Sequence, residues 1–328
     1  MIGRIIEIAE DGRYLSVLRW FLIVSHEGNE IGRVPLDDIA AVIGNAHGLT
    51  YSNNLLVELA RRNAPFVLCA ENHMPIGMLW PVEGNYEQSA RMDAQLAATR
   101  PMSKRLWAVL VKHKLAMQAA VLAATGKPRA PVAALVRKVR SGDPDNVEAQ
   151  AARRYWTLLF GDEFRRDQAG GGINGMLNYG YTVLRAATAR AVIAAGLHPG
   201  IGLKHSNAQN PMRLVDDLME PFRPVIDLTV YELSAGDSSD LDPGTKRTLV
   251  HALYRDMSTP AGRTPLSNCL TRLAVSLAQV LQGIGTSLDL PAADLSSAGG
   301  ESAANALGVQ AHVDDRDVRP PGGRGKGS

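Results

Sequence analysis

Over the first eighty or so residues, apolar and β-branched side chains come in short runs: "RIIEI", "YLSVL", "WFLIVS", "EIGRVPL", "IAAVIG", "PFVLCA" and "PIGMLW". They are parted by turn signals such as "HEGNE" and "ENHMP", a pattern that predicts strands. One segment breaks the rhythm. "SNNLLVELARRN" sets Leu55, Leu56 and Leu59 on one helical face behind a polar start at Ser52 or Asn53, and Pro65 forbids its continuation. After "PVEGNYEQ" the period changes and Ala and Leu dominate. Helical spacing appears in "SKRLWAVLVKHKLAMQAAVLAA", in "NVEAQAARRYWTLLF", and from Asn174 to about Ala195, closed by Gly196. It returns in "RLVDDLMEPF" and in "SNCLTRLAVSLAQVLQ", closed by Gly283. The pattern predicts an α+β chain: a small, mostly β domain with one packed helix over residues 1–85, then a larger all-α domain over residues 86–288. From Asp289 onward, "DLPAADLSSAGGESAANALG" and "DDRDVRPPGGRGKGS" are poor in aromatics and rich in Gly, Ser, Ala and Pro. That composition predicts a disordered tail over residues 289–328.

Composition adds little to this picture, and charge adds more. The 328 residues are 45% hydrophobic and 21% charged, as in an ordinary soluble protein with room for two domains. No window approaches the roughly 18 uninterrupted apolar residues of a membrane span, and the N-terminus carries scattered charges, so a cytoplasmic protein is expected. Cys69 and Cys269 lie far apart in apolar surroundings, which suits reduced, packed thiols better than a disulfide or zinc site. The net charge of +2 says little about partners, but its distribution is uneven. Between Gln95 and Gly142 there is no Asp or Glu. The cations there are Arg100, Lys104, Arg105, Lys112, Lys114, Lys127, Arg129, Arg137, Lys138 and Arg140. A solvated face balanced by acids elsewhere is the bland explanation; a run this long favours polyanion binding.

The candidate chemistry centres on "KHSNAQNPMRLVDDLMEPFR". With Asn210 as N-cap and Pro211 as first helical residue, the helix runs through Met219. Asp217 and Glu220 then share a face, and Asp216 points elsewhere. Buried carboxylates need a compensating cation, either arginines such as Arg213 and Arg223 or a metal. His205 sits in the loop just before, after the Gly-rich "HPGIGLK", and is either an ordinary hydrogen-bonded histidine or a ligand. Glu148 also has two readings. Asp145 with Glu148 matches a capping box and needs no chemistry, whereas Ala149, Ala151 and Ala152 permit the close helix approach that a site would use. Trp107, Tyr155, Trp156, Tyr179 and Tyr181 read as core aromatics, with base stacking as the alternative. Ser206 beside His205 does not make a nucleophile and base pair.

Taken together, "EAQAARRYW", "LNYGYTVLRA", "GLHPGIGLKHSN" and "LVDDLMEPFRPVID" resemble the CRISPR-associated integrase family, the nuclease subunit of the spacer-acquisition machinery. The likeness spans roughly residues 1 to 285, and the spacings of 57 residues from Glu148 to His205 and 15 from His205 to Glu220 fit it. Among its members, those from systems with one large effector nuclease are most similar. The resemblance implies metal ligands at Glu148, His205 and Glu220, with Asp217 as an accessory group behind them. Many members have Asp where this chain has Glu220. An imidazole and two carboxylates suit Mg²⁺ or Mn²⁺. The implied activity is endonucleolytic cleavage and transfer of a DNA 3′-hydroxyl onto a phosphate of CRISPR repeat DNA. The implied substrate is double-stranded DNA with single-stranded ends. The implied assembly is a homodimer formed through the N-terminal β domain, two of which flank a small ferredoxin-like partner. Lys104, Arg105, Lys112, Arg137 and Lys138 are the expected DNA-backbone contacts. Two other classes stand beside this reading. One is a non-catalytic basic DNA-binding scaffold, and the other is a non-haem iron enzyme, which would want a second histidine.

Overall fold

The computed structural model describes residues 4–70, 75–79, 81–82, 84–168, 170–235 and 241–295. The apolar runs of the N-terminal region form β1 (Arg4–Ile8), β2 (Arg13–Leu18), β3 (Phe21–His26), β4 (Asn29–Pro35), β5 (Ile39–Gly44), β7 (Phe66–Cys69) and β8 (Pro75–Leu79). Between them lie a two-residue strand, β6 (Thr50–Tyr51), and the helix α1 (Asn53–Arg61). The hydroxyl of Ser52 accepts the amide of Leu55 at 3.3 Å and so caps α1. One sheet runs β4-β3-β2-β6, and the other runs β1-β5-β7-β8 with β8 antiparallel to three parallel neighbours.

β5 explains why the two halves of the chain form one body. "IAAVIG" is buried along its whole length, as expected of a central parallel strand covered on both faces. Its side chains divide between two cores. Ile39 and Val42 pack with Leu15, Leu22, Leu55, Leu59 and Phe66 inside the β domain, whereas Ala40, Ala41 and Ile43 belong to the core of the helices.

The helical part comprises α2 (Gln88–Ala97), α3 (Arg100–Ala124), α4 (Ala130–Val136), α5 (Val147–Phe160), α6 (Ile173–Ala194), α7 (Arg213–Met219), α8 (Arg223–Ser234), α9 (Pro243–His251) and α10 (Leu266–Leu281). A 3₁₀ turn over Glu220–Phe222 joins α7 to α8. α6 has no exposed residue and lies in the centre, in contact with α7, α8, α9 and α10. A Cβ at Gly180 would collide with Ile226, so α6 and α8 cross this closely only because that position is glycine. α3 is long and apolar enough to cross a bilayer by length and composition. Its apolar stripe of Leu106, Trp107, Leu110, Val111 and Leu115 is instead packed in the core.

Two features depart from the sequence reading. The α-helical region carries a hairpin, β9 (Asp256–Thr259) with β10 (Gly262–Pro265), too short for periodicity to reveal. Residues 289–295 are also held in place and do not belong to a disordered tail. Arg272 donates to Asp289 at 2.8 Å, Ala292 donates to the carbonyl of Ser258 at 2.7 Å, His113 bonds the carbonyl of Pro291, and Leu295 is buried. Averaging over a Gly- and Ser-rich tail hid the apolar positions at its start. The remainder, residues 296–328, lies outside the described residues. Both cysteines are free, and burial pushes each thiol up to about 11, the behaviour of packed thiols.

Candidate active site

Glu148 enters the site from the first turn of α5. The loop before it passes through left-handed backbone at Gly142, Asp143 and Asn146. That path brings the Asp143 carboxylate under the helix start, where its oxygens accept the amides of Val147 at 2.9 Å and Glu148 at 3.0 Å. The capping-box expectation therefore named the wrong acid, since Asp145 turns outward to pair with Arg140. With the helix capped by Asp143, the Glu148 carboxylate has no backbone duty and reaches across to α3, where Lys114 Nζ donates to it at 2.6 Å.

His205 comes from the irregular loop ahead of α7, folded around one acid. Asp217 is fully buried and accepts the amides of Leu203 at 2.6 Å, Lys204 at 3.1 Å and His205 at 3.3 Å. It also accepts His205 Nδ1 at 2.7 Å. A carboxylate already aimed at by backbone N–H groups can only accept, so Nδ1 carries the proton and Nε2 is left as the outward acceptor. Gly202 makes this wrapping possible: a Cβ there would lie 2.9 Å from Asp217 Oδ2. The hydrogen bond from His205 to Asp217, with burial opposing it, holds the imidazole pKa above its usual value. The helix itself starts at Arg213, not Pro211. Asn210 uses its oxygen to accept Met212 N in a local turn and gives its amide to Asp216. Asp216 pairs with Arg185 and faces away from the site.

Glu220 opens the 3₁₀ turn and is buried. Lys114 Nζ donates to one of its oxygens at 2.5 Å, and Arg223 lies 3.1 Å from the other. Burial opposes the charge on Glu220, but Arg223 and Lys114 outweigh it and the net shift of its pKa is downward. The charges of Glu220 and His205 also act on each other. Behind Arg223, whose guanidinium lies 4.8 Å over the Tyr181 ring, the buried Asp227 takes the hydroxyls of Tyr181 and Tyr155. Lys114 belonged by sequence to the DNA-facing basic run; the fold buries it between the two carboxylates. The signal was present, because Lys114 falls on the apolar stripe of α3 in line with Trp107, Leu110, Val111 and Met117.

Glu148, Glu220 and the Asp217–His205 pair thus come from separate stretches to one region of the helical core. Among the described residues, no three His, Cys, Asp or Glu side chains stand close enough to hold an ion as they are placed. Two of them already share a cation, however. Carboxylates from α5 and from the 3₁₀ turn meet at one ammonium, and beside them is an imidazole with its outward nitrogen free of Asp217. This oxygen-rich set fits a hard divalent cation better than zinc. Trp107 is core, as read from sequence, yet its ring meets His205 edge-on with centroids 5.9 Å apart. Tyr155, Tyr179 and Tyr181 are buried and Trp156 partly so. Lys104, Arg105, Lys112, Arg137 and Lys138 all face solvent. Lys104 packs against Gly142, whose carbonyl also accepts Lys204 Nζ at 3.4 Å, so cations flank the turn that delivers Glu148.

The chain matches the family model described as CRISPR associated protein Cas1 over residues 6–242. It is 37% identical over 255 residues to a CRISPR-associated endonuclease Cas1 of Neisseria meningitidis serogroup C (strain 8013), across 76% of this chain and 83% of that protein. A solved casposase bound to integration product has the same fold, with a TM-score of 0.73 at 20% identity over 92% of this chain and 95% of that one. A Cas6-RT-Cas1–Cas2 complex contains it too, with a TM-score of 0.71 at 17% identity over 89% of this chain and 36% of that one. The family match runs through both the β domain and the stretch of the helical part that carries Glu148, His205 and Glu220, and on it the chain belongs to the Cas1 family of CRISPR-associated endonucleases.

Proposed function

We propose that this chain is a divalent-metal-dependent DNA endonuclease and integrase that joins short DNA fragments into a CRISPR array. In this reading Glu148, His205 and Glu220 hold one Mg²⁺ or Mn²⁺, and Asp217 fixes His205 from behind. The observation that carries the reading is the meeting of Glu148 and Glu220 at a single cation, beside an imidazole oriented by a buried carboxylate. Bound among these donors, the ion would polarise a phosphoryl oxygen and lower the pKa of the attacking hydroxyl.

The chain's own residues do the rest. Asp217 keeps the His205 proton on Nδ1 and so keeps Nε2 available as a donor atom. Arg223 holds Glu220 ionised in a buried setting. Lys104, Arg105, Lys112, Arg137 and Lys138 grip phosphates of a duplex with single-stranded ends and bring a strand end to the site. In the transfer, a 3′-hydroxyl oxygen forms a bond to phosphorus of the repeat DNA as that phosphorus loses its old 3′-oxygen, which leaves with a proton. No bond between protein and DNA is needed, so no nucleophilic side chain is called for. Insertion of a fragment at both ends needs two such sites. A homodimer through the β domain, two of them about a small ferredoxin-like partner subunit, would supply the symmetry, and the solved complex of this fold with Cas2 supports Cas2 as that partner. The family motifs favour a system with one large effector nuclease.

The test is strand transfer from a short duplex into a supercoiled repeat-bearing target with Mn²⁺, comparing the chain with His205→Ala. Equal joining by the two proteins would refute the site. A non-catalytic scaffold is the second reading, since Lys114 and Arg223 do satisfy the carboxylates as a structural network would. It predicts DNA binding without metal dependence and a marked loss of stability in Glu148→Ala, whereas removal of a functional ligand costs little stability.

A further inference from the structure

A lysine is an odd occupant of the Lys114 position. It lies on the core face of α3 among apolar neighbours, its side chain only 10% exposed, where a Leu or Met would pack at no electrostatic cost. Its ammonium meets Glu148 Oε1 at 2.6 Å and Glu220 Oε2 at 2.5 Å and, among the described residues, touches no other acid. Glu220 alone does not require it, because Arg223 already pairs with the other oxygen. What Lys114 adds is a positive charge midway between two carboxylates that come from different elements and would otherwise repel each other.

We propose that Lys114 is a built-in stand-in for the divalent ion: it holds Glu148 and Glu220 together in the metal-free chain and is displaced when the ion loads. This inference rests on the metal reading given above. The two cations compete for the same oxygens, so both cannot bridge the pair at once. The lysine stem has four rotatable carbons, and Glu148 is the open side of the pair, its side chain 23% exposed against 5% for Glu220. The ammonium therefore leaves past Glu148, toward solvent. Two consequences follow from competition. The acids stay converged without metal, and apparent metal affinity is lowered by the fraction of molecules in which Lys114 still occupies the site.

The experiment uses the full chain and Mn²⁺ alone, with no DNA. An amine-acetylating reagent is applied with and without saturating Mn²⁺, and modification of individual lysines is read by peptide mass spectrometry. In parallel, Mn²⁺ affinity is measured from the electron paramagnetic resonance signal of the free ion for the chain, Lys114→Met and Lys114→Arg. Mn²⁺ is expected to raise modification of Lys114 severalfold while leaving Lys104 and Lys112 unchanged. Lys114→Met, which keeps the packing, is expected to bind Mn²⁺ about tenfold more tightly, and Lys114→Arg, which keeps the charge, no more tightly than the parent. Bound Mn²⁺ with unchanged Lys114 modification, or no gain in affinity for a folded Lys114→Met, would overturn the proposal. If Lys114→Met does not fold, the labelling result decides. Mn²⁺ binding by Glu148→Ala and Glu220→Ala separates the two readings. Binding equal to the parent in both removes the metal site itself, whereas weaker binding in both with no effect of Lys114 removes only the role given to the lysine.

Discussion

Asp217 is the residue on which the histidine depends. It spends both oxygens on one loop, so the same side chain that closes the loop also sets the imidazole tautomer. Asp217→Asn would put an N–H₂ group where only acceptors are wanted and would release His205. Loss of the group that orients a metal-binding imidazole typically weakens metal affinity about 10–100-fold. Mn²⁺ titration of Asp217→Asn should show a loss in that range with the helical signal of the fold retained; parental affinity would contradict the role assigned to it. The raised His205 pKa gives a sign to the pH dependence. The pairing with Asp217 stabilises the fold fully below the ordinary histidine value of about 6.5 and is lost as pH rises through the higher folded value. Metal binding runs the other way, because the ligand must shed its second proton. Mn²⁺ affinity should therefore climb with pH through and beyond the usual histidine range. His205 and the paired acids were legible in the sequence as a local cluster. Their partition was not: that Asp217 serves the loop, Asp216 serves Arg185 and Glu220 serves Lys114 depends on what packs against each.

At the scale of elements, the start of α5 decides whether Glu148 is available. Asp143 accepts both first-turn amides, so Asp143→Ala should cost about 1 kcal/mol, the usual worth of an N-cap, read as a lower midpoint in urea unfolding. Asp143→Asn, which keeps an acceptor, should recover most of it, while Asp145→Ala should cost much less because its partner Arg140 is exposed. The reverse order would restore the capping-box assignment. Strands of the N-terminal region and the long helices were readable because their periods are strong and their ends carry Ser52, Gly196 and Gly283. The capping residue of α5 was misread because left-handed turns at Gly142, Asp143 and Asn146 bring an acid farther back in sequence under the helix. Such a turn leaves no spacing pattern. The charge count treats residues 95–142 as one basic run, whereas the informative point is the α3 cation that falls on the buried face, Lys114. Periodicity applied residue by residue would have singled out Lys114.

For the whole molecule, a buried polar network ties α5, α6 and α8 together beneath the site. Burial pushes Asp227 up to about 7 despite the hydroxyls of Tyr181 and Tyr155 and the charge of Arg223. An unfolded Asp titrates at about 3.9, so the folded protein binds the extra proton between these values. Asp227 thus favours the fold at acid pH, and that contribution is lost as pH rises through about 7. The loss is on the order of 1.4 kcal/mol per pH unit within the window. Thermal unfolding at pH 5 and pH 8 should show Asp227→Asn gaining on the parent as pH rises; parallel curves would mean that Asp227 is ionised throughout. The two-part α+β architecture was visible in the change of period near residue 88, and the packing of β5 on both of its faces was not, since a run of six apolar residues does not say which core each will join. The most direct measurement is anomalous scattering from crystals soaked in Mn²⁺. A single Mn²⁺ peak among Glu148, His205 and Glu220, with the Lys114 ammonium moved off the carboxylates, is expected. Well-ordered crystals in saturating Mn²⁺ with Lys114 still bridging Glu148 and Glu220, and no peak between them, would contradict a metal-dependent active site at these residues.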